Sequence, residues 1–564
     1  MKRQLVFILL LVIMVSCKQN EESKIEEKTK NNSARLSEAQ KVPFVWENAN
    51  LYFLLTDRFK NGDKTNDVNF GRNEKKAAKL RGFKGGDIKG VTEKIEEGYF
   101  SDLGVNAIWL TPIVEQIHGG TDEGTGLSYG FHGYWAKDWT ALDPNFGSAD
   151  DLKALVDAAH KKGIRVLLDA VVNHTGPVTE KDPVYPEDWV RTGPTCTYDN
   201  YENTVTCTLV DNLPDIRTES DEDVNLPPML LEKWKAEGRF DQEMMELDAF
   251  FEATGYPRAP RFYIMKWLSD YITEFGIDGY RVDTVKHTEE YVWQEFRVIC
   301  DAAFEEYKSE NPDKVLDDNG FYLVGEVYNY GISAGKAFDF GDKKVNYFDE
   351  SFNSLINFEL KWNAQQQSKE EIFSRYSDSL NGDIKGYGVL NYLTSHDDGQ
   401  PFDTERKKPY ETGTILMLTP GAAQIYYGDE SARSLVIEGA KGDATLRSFM
   451  NWDDIENDPE TQGILSHWQK LGKFREAHPA VGAGRHEMIF KKPYVFKRTY
   501  SNGNFNDVVI VALDIKKGKK TLNVASVFED GVKLKDAYSG IEAVVEDGKA
   551  VINSEFDIVL LERI

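Results

Sequence analysis

Short apolar runs alternate with amphipathic stretches along most of the chain, a pattern typical of parallel strands joined by helices. The runs that we predict to be barrel strands are Leu51–Leu55, Ala107–Leu110, Ile164–Ala170, Ile277–Asp283, Phe321–Val324, Val345–Phe348, Val389–Leu393 and Ala423–Tyr427. Eight strand–helix units predict an α/β protein with a closed (β/α)8 TIM barrel.

A long polar segment, rich in Pro, Thr and Asp, interrupts this alternation between the third and fourth runs. We predict an inserted subdomain over residues 175–255, because a structureless loop of that length is unusual. The segment contains Cys196 and Cys207, and the residues between them favour a β-hairpin. In an exported protein this pair is expected to form a disulfide, whereas Cys300 is predicted to be a buried thiol in a helix.

After about Pro479 the pattern changes to short alternating runs separated by Gly, Asn and Asp. Such runs are typical of antiparallel strands, and residues 480–564 are predicted to form a β-sandwich. The barrel would then comprise residues 44–174 and 256–479.

The amino terminus has the features of an export signal. Lys2 and Arg3 precede an apolar run, Leu5–Val15, that is too short to span a bilayer. Residues 14–17 resemble a bacterial lipobox, with Met14 as a departure, which implies a signal peptide over residues 1–17 and lipidation of Cys17. The alternative is an ordinary signal that is cleaved nearby and removes Cys17.

Residues 18–43 are polar and predict a flexible tether. With a lipidated Cys17, the protein would be anchored to the bacterial outer membrane, facing either the periplasm or the exterior. The formal net charge of -27 argues against nucleic acid or an anionic membrane surface as partner, so the lipid would be the only membrane contact. We expect a monomer.

Three carboxylates follow strand-like runs: Asp283, Glu326 and Asp397. The period of a strand places Arg281 on the same face as Asp283, where a guanidinium keeps a carboxylate ionised. Glycoside hydrolysis requires two carboxyl groups, and a third can hold the hydroxyls of a distorted sugar. One such residue is more often a helix cap or a solvated side chain, but three in series favour a catalytic site.

With these residues in view, the chain resembles the α-amylase family, glycoside hydrolase family 13, from Leu51 to Ile564. The matching motifs are DAVVNH (Asp169–His174), GYRVDTVKH (Gly279–His287), GEVY at Glu326, SHDD at Asp397, LPDI (Leu213–Ile216) and FHGYWAKD (Phe131–Asp138). The resemblance implies the barrel, an inserted domain B after strand 3 and a C-terminal sandwich.

The resemblance also implies a role for each carboxylate. Asp283 would be the nucleophile, Glu326 the general acid and base with a raised pKa, and Asp397 a ligand of the distorted sugar. Tyr134 would lie under the reacting sugar, and Lys286 would face the leaving group. The substrate-binding positions implied are His132, Tyr134, His174, Arg281, Lys286, His287 and His396.

Calcium is a further implication, with one or two structural sites. The first set of positions is Asn61, Asp63, Asn66, Asp67, Gly85 and Asp87. Oxygen-rich clusters suit this hard cation, although turns of this composition also occur without metal. The second set is Asn173, Asp215 and the backbone carbonyl of His287, between barrel and insertion.

These features predict a retaining, endo-acting α-amylase that hydrolyses α-1,4 bonds of starch or glycogen. A transglycosylase of the cyclodextrin-forming type, or an α-1,6 debranching enzyme, would use the same scaffold. A non-catalytic glucan-binding surface protein is disfavoured because all three carboxylates are present. The chain departs from the family's pattern at Asp398–Pro401, where relatives commonly carry Arg in a segment that serves the distal donor side.

Overall fold

The computed structural model describes residues 42–72, 74–349 and 351–564. The predicted signal peptide, Cys17 and residues 18–41 of the predicted tether lie outside the described residues. Within the described ranges, no helix is long and apolar enough to cross a membrane.

Eight parallel strands close into a barrel, and the predicted fold class is confirmed. The barrel strands are β1 (Asn50–Leu54), β2 (Ala107–Leu110), β3 (Arg165–Ala170), β4 (Gly279–Val282), β5 (Tyr322–Gly325), β6 (Ser354–Asn357), β7 (Gly388–Asn391) and β8 (Ala422–Tyr426). Each strand pairs with its neighbours in chain order, and β8 closes on β1.

Burial on both faces explains why these strands are nearly continuous apolar runs. Every residue of β1 and of β8 is buried. Inside the barrel, the ring of Phe53 stacks on Trp109 with centroids 3.6 Å apart and lies 5.4 Å from Tyr426. Side-chain packing inside the barrel therefore holds the strands together in addition to the backbone hydrogen bonds between them.

The predicted sixth strand was wrong. Lys344–Asn346 pairs antiparallel with Ala337–Asp339 in a separate hairpin, and β6 lies further along the chain. The strand β6 begins and ends with polar residues, Ser354 and Asn357, so it does not read as an apolar run. Buried polar side chains require hydrogen-bond partners, and Asn357 Nδ2 donates to Asn391 Oδ1 of β7 at 2.8 Å.

The insertion contains a two-stranded sheet, Val190–Arg191 with Asp215–Ile216, and two helices, Pro228–Glu237 and Phe240–Thr254. Cys196 and Cys207 are disulfide-bonded. The hairpin predicted between them was wrong, because the segment forms a helical turn, Glu202–Val205.

Asn200 explains that turn. Its side-chain Oδ1 accepts the Asn203 N–H at 2.8 Å, and its carbonyl accepts the Thr204 hydroxyl at 2.7 Å. Local bonds from Asn, Ser and Thr offer the backbone an alternative to strand pairing.

Helices surround the barrel and continue to the C-terminal region. The remaining α-helices are Thr56–Phe59, Ile88–Glu97, Tyr99–Asp102, Ala149–Lys161, Pro260–Phe275, Glu290–Glu310, Leu360–Gln366, Lys369–Asn381, Pro409–Leu418, Trp452–Asn457, Pro459–Ala477 and Ala480–Ala483. Cys300 is a buried thiol in one of them.

The C-terminal region is an antiparallel sandwich with its own apolar core. The six-stranded sheet contains Arg485–Phe490, Tyr494–Asn502, Phe505–Leu513, Lys533–Asp536, Ile541–Val544 and Val559–Arg563. A second sheet pairs Gly518–Asn523 with Lys549–Ser554, whose residues alternate between exposed and buried. This alternation is the pattern that predicted strands here.

Candidate active site

The carboxyl ends of β3, β4 and β5 bring the catalytic candidates together. Arg281 of β4 is the register partner of Asp169 on β3 and of Val324 on β5. Asp283 and Glu326 come directly after β4 and β5, so adjacent strand ends present both at one face of the barrel, where barrel enzymes place their active sites.

One buried guanidinium contacts three carboxyl groups. Arg281 Nη1 lies 2.7 Å from Asp283 Oδ1 and 3.0 Å from Asp169 Oδ1, and Nη2 lies 2.8 Å from Glu326 Oε2. The Arg281 side chain is 1% exposed. One positive charge therefore faces three acids in a site that water barely reaches.

Because one guanidinium cannot neutralise three buried carboxyl groups, the pKa values of Glu326 and Asp169 are raised. Burial, with the charges of Asp283 and Asp397, outweighs Arg281 and raises the pKa of Glu326 to about 8. Burial likewise raises the pKa of Asp169 to about 7. At neutral pH Glu326 retains a proton that it can donate.

Thr284 fixes the direction of Glu326. Its backbone N–H donates to Glu326 Oε2 at 3.0 Å. Thr284 has φ 48°, a left-handed conformation that is costly for a β-branched residue. In this conformation the Thr284 N–H, at the end of β4, points toward the Glu326 carboxyl group.

Asp169 is a site residue that sequence reasoning did not assign. Its Oδ2 accepts the Tyr134 hydroxyl at 2.8 Å and the Trp109 indole N–H at 3.1 Å, besides facing Arg281. The available signal was an acidic residue inside a run whose six residues are all buried. Buried charges of this kind need partners.

Tyr134 is surrounded by three of the predicted histidines. The His396 and His132 rings stack on it at 5.1 and 5.8 Å, and the His174 Nε2 lies 3.2 Å from its carbonyl oxygen. Burial lowers the pKa of all three histidines. They are neutral at pH 7. The buried His174 Nδ1 has no hydrogen-bond partner in the part of the chain that the structure describes, which leaves it able to bond a sugar hydroxyl.

Asp397 lies nearer the solvent, with its side chain 35% exposed. The Ser395 hydroxyl donates to Asp397 Oδ1 at 3.2 Å, and His396 Nδ1 lies 3.7 Å away. The exposed Asp397 carboxyl group can thus accept hydrogen bonds from a ligand in the cleft. Its neighbour Asp398 instead pairs with the buried Lys361 and accepts the Tyr392 hydroxyl.

Exposed rings flank Lys286. Tyr198 and Tyr328 are 50% and 45% exposed, and Lys286 Nζ lies 5.6 and 5.2 Å from their centroids. His287 Nδ1 lies 3.0 Å from the Thr204 carbonyl, which ties the disulfide loop to this side of the cleft. Neither tyrosine was predicted, although Tyr328 stands two residues after Glu326.

The opposite side is reinforced by residues after β8. Arg447 Nε donates to the His396 carbonyl at 2.9 Å, and its Nη2 lies 2.7 Å from Asp443. Arg81 reaches the same Asp443 at 2.8 Å. Arg447 and Arg81 thus share Asp443 and hold the backbone of His396 from this side.

The first calcium set combines carboxylate and amide side chains with Gly85. Asn61 Oδ1 and Asn66 Oδ1 are buried and have no hydrogen-bond partner among the described residues, as expected of ligands for an ion. Gly85, with φ +87°, lets the loop pack closely, because a Cβ there would fall 2.5 Å from both Asp67 Oδ1 and Asn61 Nδ2. Across residues 42–72, 74–349 and 351–564 no three His, Cys, Asp or Glu side chains are arranged to hold a metal.

Four members of that set already have side-chain hydrogen bonds, and Asn61 Nδ2 donates to Asp67 Oδ1 at 2.7 Å. Asp87 accepts the N–H groups of Gly62, Asp63 and Gly90 as the cap of the helix Ile88–Glu97. Asp63 Oδ1 accepts from Thr65. Asn61, Asn66, Asp67 and Gly85 thus fit calcium best.

The second calcium set does not fit in the same way. Asn173 Nδ2 donates to Asp215 Oδ1 at 2.9 Å, as Asn61 Nδ2 does to Asp67 Oδ1 in the first set, so the difference lies in the neighbouring cation. Arg191 Nε lies 2.9 Å from the other Asp215 oxygen. The structure thus places Asn173 and Asp215 together, but with a guanidinium beside them.

Comparison with known proteins identifies the family of the chain. The sequence model of a protein family, the α-amylase catalytic domain, matches residues 53–479 of this chain. The chain belongs to the α-amylase family. It is therefore a glycoside hydrolase of that family, built on the barrel described above.

Two α-amylase-family relatives illustrate its range. The periplasmic α-amylase of Escherichia coli K12 is 34% identical over 525 residues, covering 82% of this chain and 72% of the relative. A cyclomaltodextrin glucanotransferase of Thermoanaerobacterium thermosulfurigenes is 26% identical over 495 residues, covering 82% of this chain and 59% of the relative.

The solved structure of an Anoxybacillus α-amylase has the same fold. It superposes with a TM-score of 0.61 at 24% identity, covering 92% of this chain and 99% of that one. At this identity the likeness bears on the fold alone.

Proposed function

We propose that this protein is a retaining, endo-acting α-amylase that hydrolyses α-1,4 bonds in starch or glycogen. The observation that carries the proposal is the contact of one guanidinium with both Asp283 and Glu326. That contact holds two carboxyl groups close together, and retaining enzymes place theirs about 5–5.5 Å apart.

In the first step Asp283 Oδ attacks the anomeric carbon, and the bond from that carbon to the leaving oxygen breaks. Glu326 gives its proton to the leaving oxygen, for which its raised pKa prepares it. The product is a β-glycosyl ester on Asp283 and a shortened glucan with a new hydroxyl.

In the second step Glu326, now ionised, takes a proton from water, and the water oxygen replaces Asp283 on the anomeric carbon. Two inversions restore the α configuration. Asp397 and the neutral His132, His174 and His396 would hold hydroxyls of the distorted ring above Tyr134.

Transfer to a second sugar is the alternative outcome of the same intermediate. The exposed Tyr198 and Tyr328 beside Lys286 favour sugar binding on the leaving-group side, because apolar ring faces stack on sugars. The similarity to a cyclomaltodextrin glucanotransferase also supports keeping transfer as a candidate.

Product analysis tests the proposal. Purified protein is incubated with amylose, pullulan and glycogen, and chain length and reducing ends are followed with time. We expect rapid shortening of amylose with one new reducing end per cleavage. Cyclic products or longer chains without new reducing ends would indicate transfer; glucan binding without cleavage, with Asp283→Asn as control, would indicate a binding protein.

We also propose calcium at the loop formed by Asn61, Asn66, Asp67 and Gly85, where the two orphaned amide oxygens support it. The ion would pin this loop through oxygen ligands and would have a structural role. Asn61, Asp63, Asn66, Asp67, Gly85 and Asp87 remain the full predicted set.

Finally, we propose that the protein is exported, lipidated at Cys17 and monomeric at the outer membrane. The name of the periplasmic E. coli relative supports export. Labelling cells with a palmitate analogue should mark the wild-type protein and not Cys17→Ser, and equal labelling of both would contradict lipidation at this residue.

A further inference from the structure

The junction of barrel and insertion is built around one ion pair. Arg191 and Asp215 lie on paired strands of the insertion's two-stranded sheet. Their side chains are 10% and 2% exposed, and Arg191 Nε lies 2.9 Å from Asp215 Oδ2. The N–H is not aligned for a hydrogen bond, so the contact is mainly a charge–charge interaction.

Barrel residues complete the junction. Asn173, three residues after β3, donates from Nδ2 to Asp215 Oδ1 at 2.9 Å, and its carbonyl accepts the Ile216 N–H at 2.8 Å. Its Oδ1 accepts the Thr288 hydroxyl at 3.4 Å. Asp215 Oδ1 thus accepts from Asn173, while Oδ2 faces the Arg191 guanidinium and accepts no hydrogen bond from the described residues.

This arrangement conflicts with calcium binding at the same place. Calcium takes 6–8 oxygen ligands at about 2.3–2.6 Å. An ion on Asp215 Oδ2 would lie against the guanidinium, and the two positive charges would repel at short range. The Asn173 amide could rotate to present its oxygen, but Arg191 has no oxygen to offer.

Arg191 also binds a second acid. Its Nη2 contacts Glu219, which Arg217 Nη1 approaches only to 3.9 Å. Glu289 contributes a further negative charge near Asp215 and accepts the Thr218 hydroxyl at 2.8 Å. Among the described residues, Arg191 is therefore the cation that contacts Asp215.

We infer that the Arg191 guanidinium replaces a calcium ion at the junction between barrel and insertion. The insertion is then attached to the cleft by the charge of an arginine side chain. This contact does not depend on the calcium concentration outside the cell. The protein would bind calcium only at the Asn61–Asp87 loop.

Truncating the Arg191 side chain would leave an empty space at the junction. In Arg191→Ala, Asp215, Glu219 and the oxygens of Asn173 would surround a cavity without a cation. Acidic and amide oxygens of this kind suit calcium. The variant should gain a metal site that the wild type lacks.

Calcium stoichiometry provides the test. Full-length wild-type protein, Arg191→Ala, Arg191→Lys and the control Arg217→Ala are stripped with chelator, dialysed against calcium and analysed by elemental mass spectrometry. We expect one more ion per chain in Arg191→Ala than in the other three. Its melting temperature should also rise more on adding calcium than that of the wild type.

A second variant keeps the inference testable if Arg191→Ala does not fold. Asn66→Ala removes a ligand of the loop site and leaves the junction intact, so it should bind no calcium. A bound ion in Asn66→Ala that is lost in Asn66→Ala/Asp215→Asn would overturn the inference. So would a folded Arg191→Ala that gains neither an ion nor calcium-dependent stability.

Discussion

Two buried arginines, Arg281 and Arg191, each bind carboxylates, yet they have different consequences. Arg281 faces three acids at the barrel mouth, Asp169, Asp283 and Glu326. Arg191 contacts two, Asp215 and Glu219, at the edge of the insertion. The first cluster opens toward the cleft, whereas the second joins two parts of the fold.

The difference teaches how one kind of ion pair supports catalysis or architecture. With three acids for one guanidinium, burial keeps a proton on Glu326, and that proton is available for chemistry. At Arg191 the cation supplies a charge that a metal would otherwise provide. Substitutions in the two clusters should therefore separate activity from stability.

The largest expected effect is on the nucleophile. Asp283→Asn removes the attacking oxygen but retains the shape, so kcat on amylose should fall by about 10⁴-fold or more. The matched control is Asp313→Asn, an exposed residue that contacts none of the site residues described above, with kcat unchanged. A loss of less than about tenfold in Asp283→Asn would refute its assignment.

The two arginines can be compared directly. Arg281→Met leaves three acids without their cation, so kcat should fall by about 10³-fold or more, as for loss of electrostatic preorganisation. Arg191→Met should keep kcat within about threefold and lower the melting temperature by about 3–8 °C, because a buried charge loses its partner. Equal effects of both on kcat would show that the clusters do not differ as described.

The pH dependence sharpens the catalytic half of the comparison. Because Glu326 must be protonated and its pKa is raised to about 8, kcat/KM should fall as pH rises through about 8. The charge of Asp397 contributes to that rise, so the residual activity of Asp397→Asn should decline at lower pH than the wild type. An unmoved alkaline limb would mean that another group titrates.

A smaller effect is expected at Tyr134. Tyr134→Phe retains the ring but removes the 2.8 Å hydrogen bond to Asp169. The free energy of unfolding should fall by about 1–2 kcal/mol, and kcat by less than about tenfold. Chemical denaturation and kinetics on maltoheptaose measure both; a loss of kcat comparable to that of Asp283→Asn would give the hydroxyl a direct role.

Much of this could be predicted from sequence, for reasons that also explain the failures. Apolar runs gave seven barrel strands because parallel strands are buried on both faces, but β6 begins and ends with polar residues that only the neighbouring strand satisfies. Asp283 and Arg281 lie two residues apart, so the strand period related them. Asp169 could be noticed locally only as an acid within a buried run, whereas Tyr198 and Arg191 act through partners distant in sequence that no local pattern reveals.

The stereochemistry of the released sugar tests the central claim most directly. Maltoheptaose is mixed with enzyme in an NMR tube, and the anomeric protons of the new reducing ends are recorded before mutarotation. A covalent intermediate on Asp283 predicts that the first products are α-anomers. Initial release of β-anomers would contradict the double displacement and the roles assigned to Asp283 and Glu326.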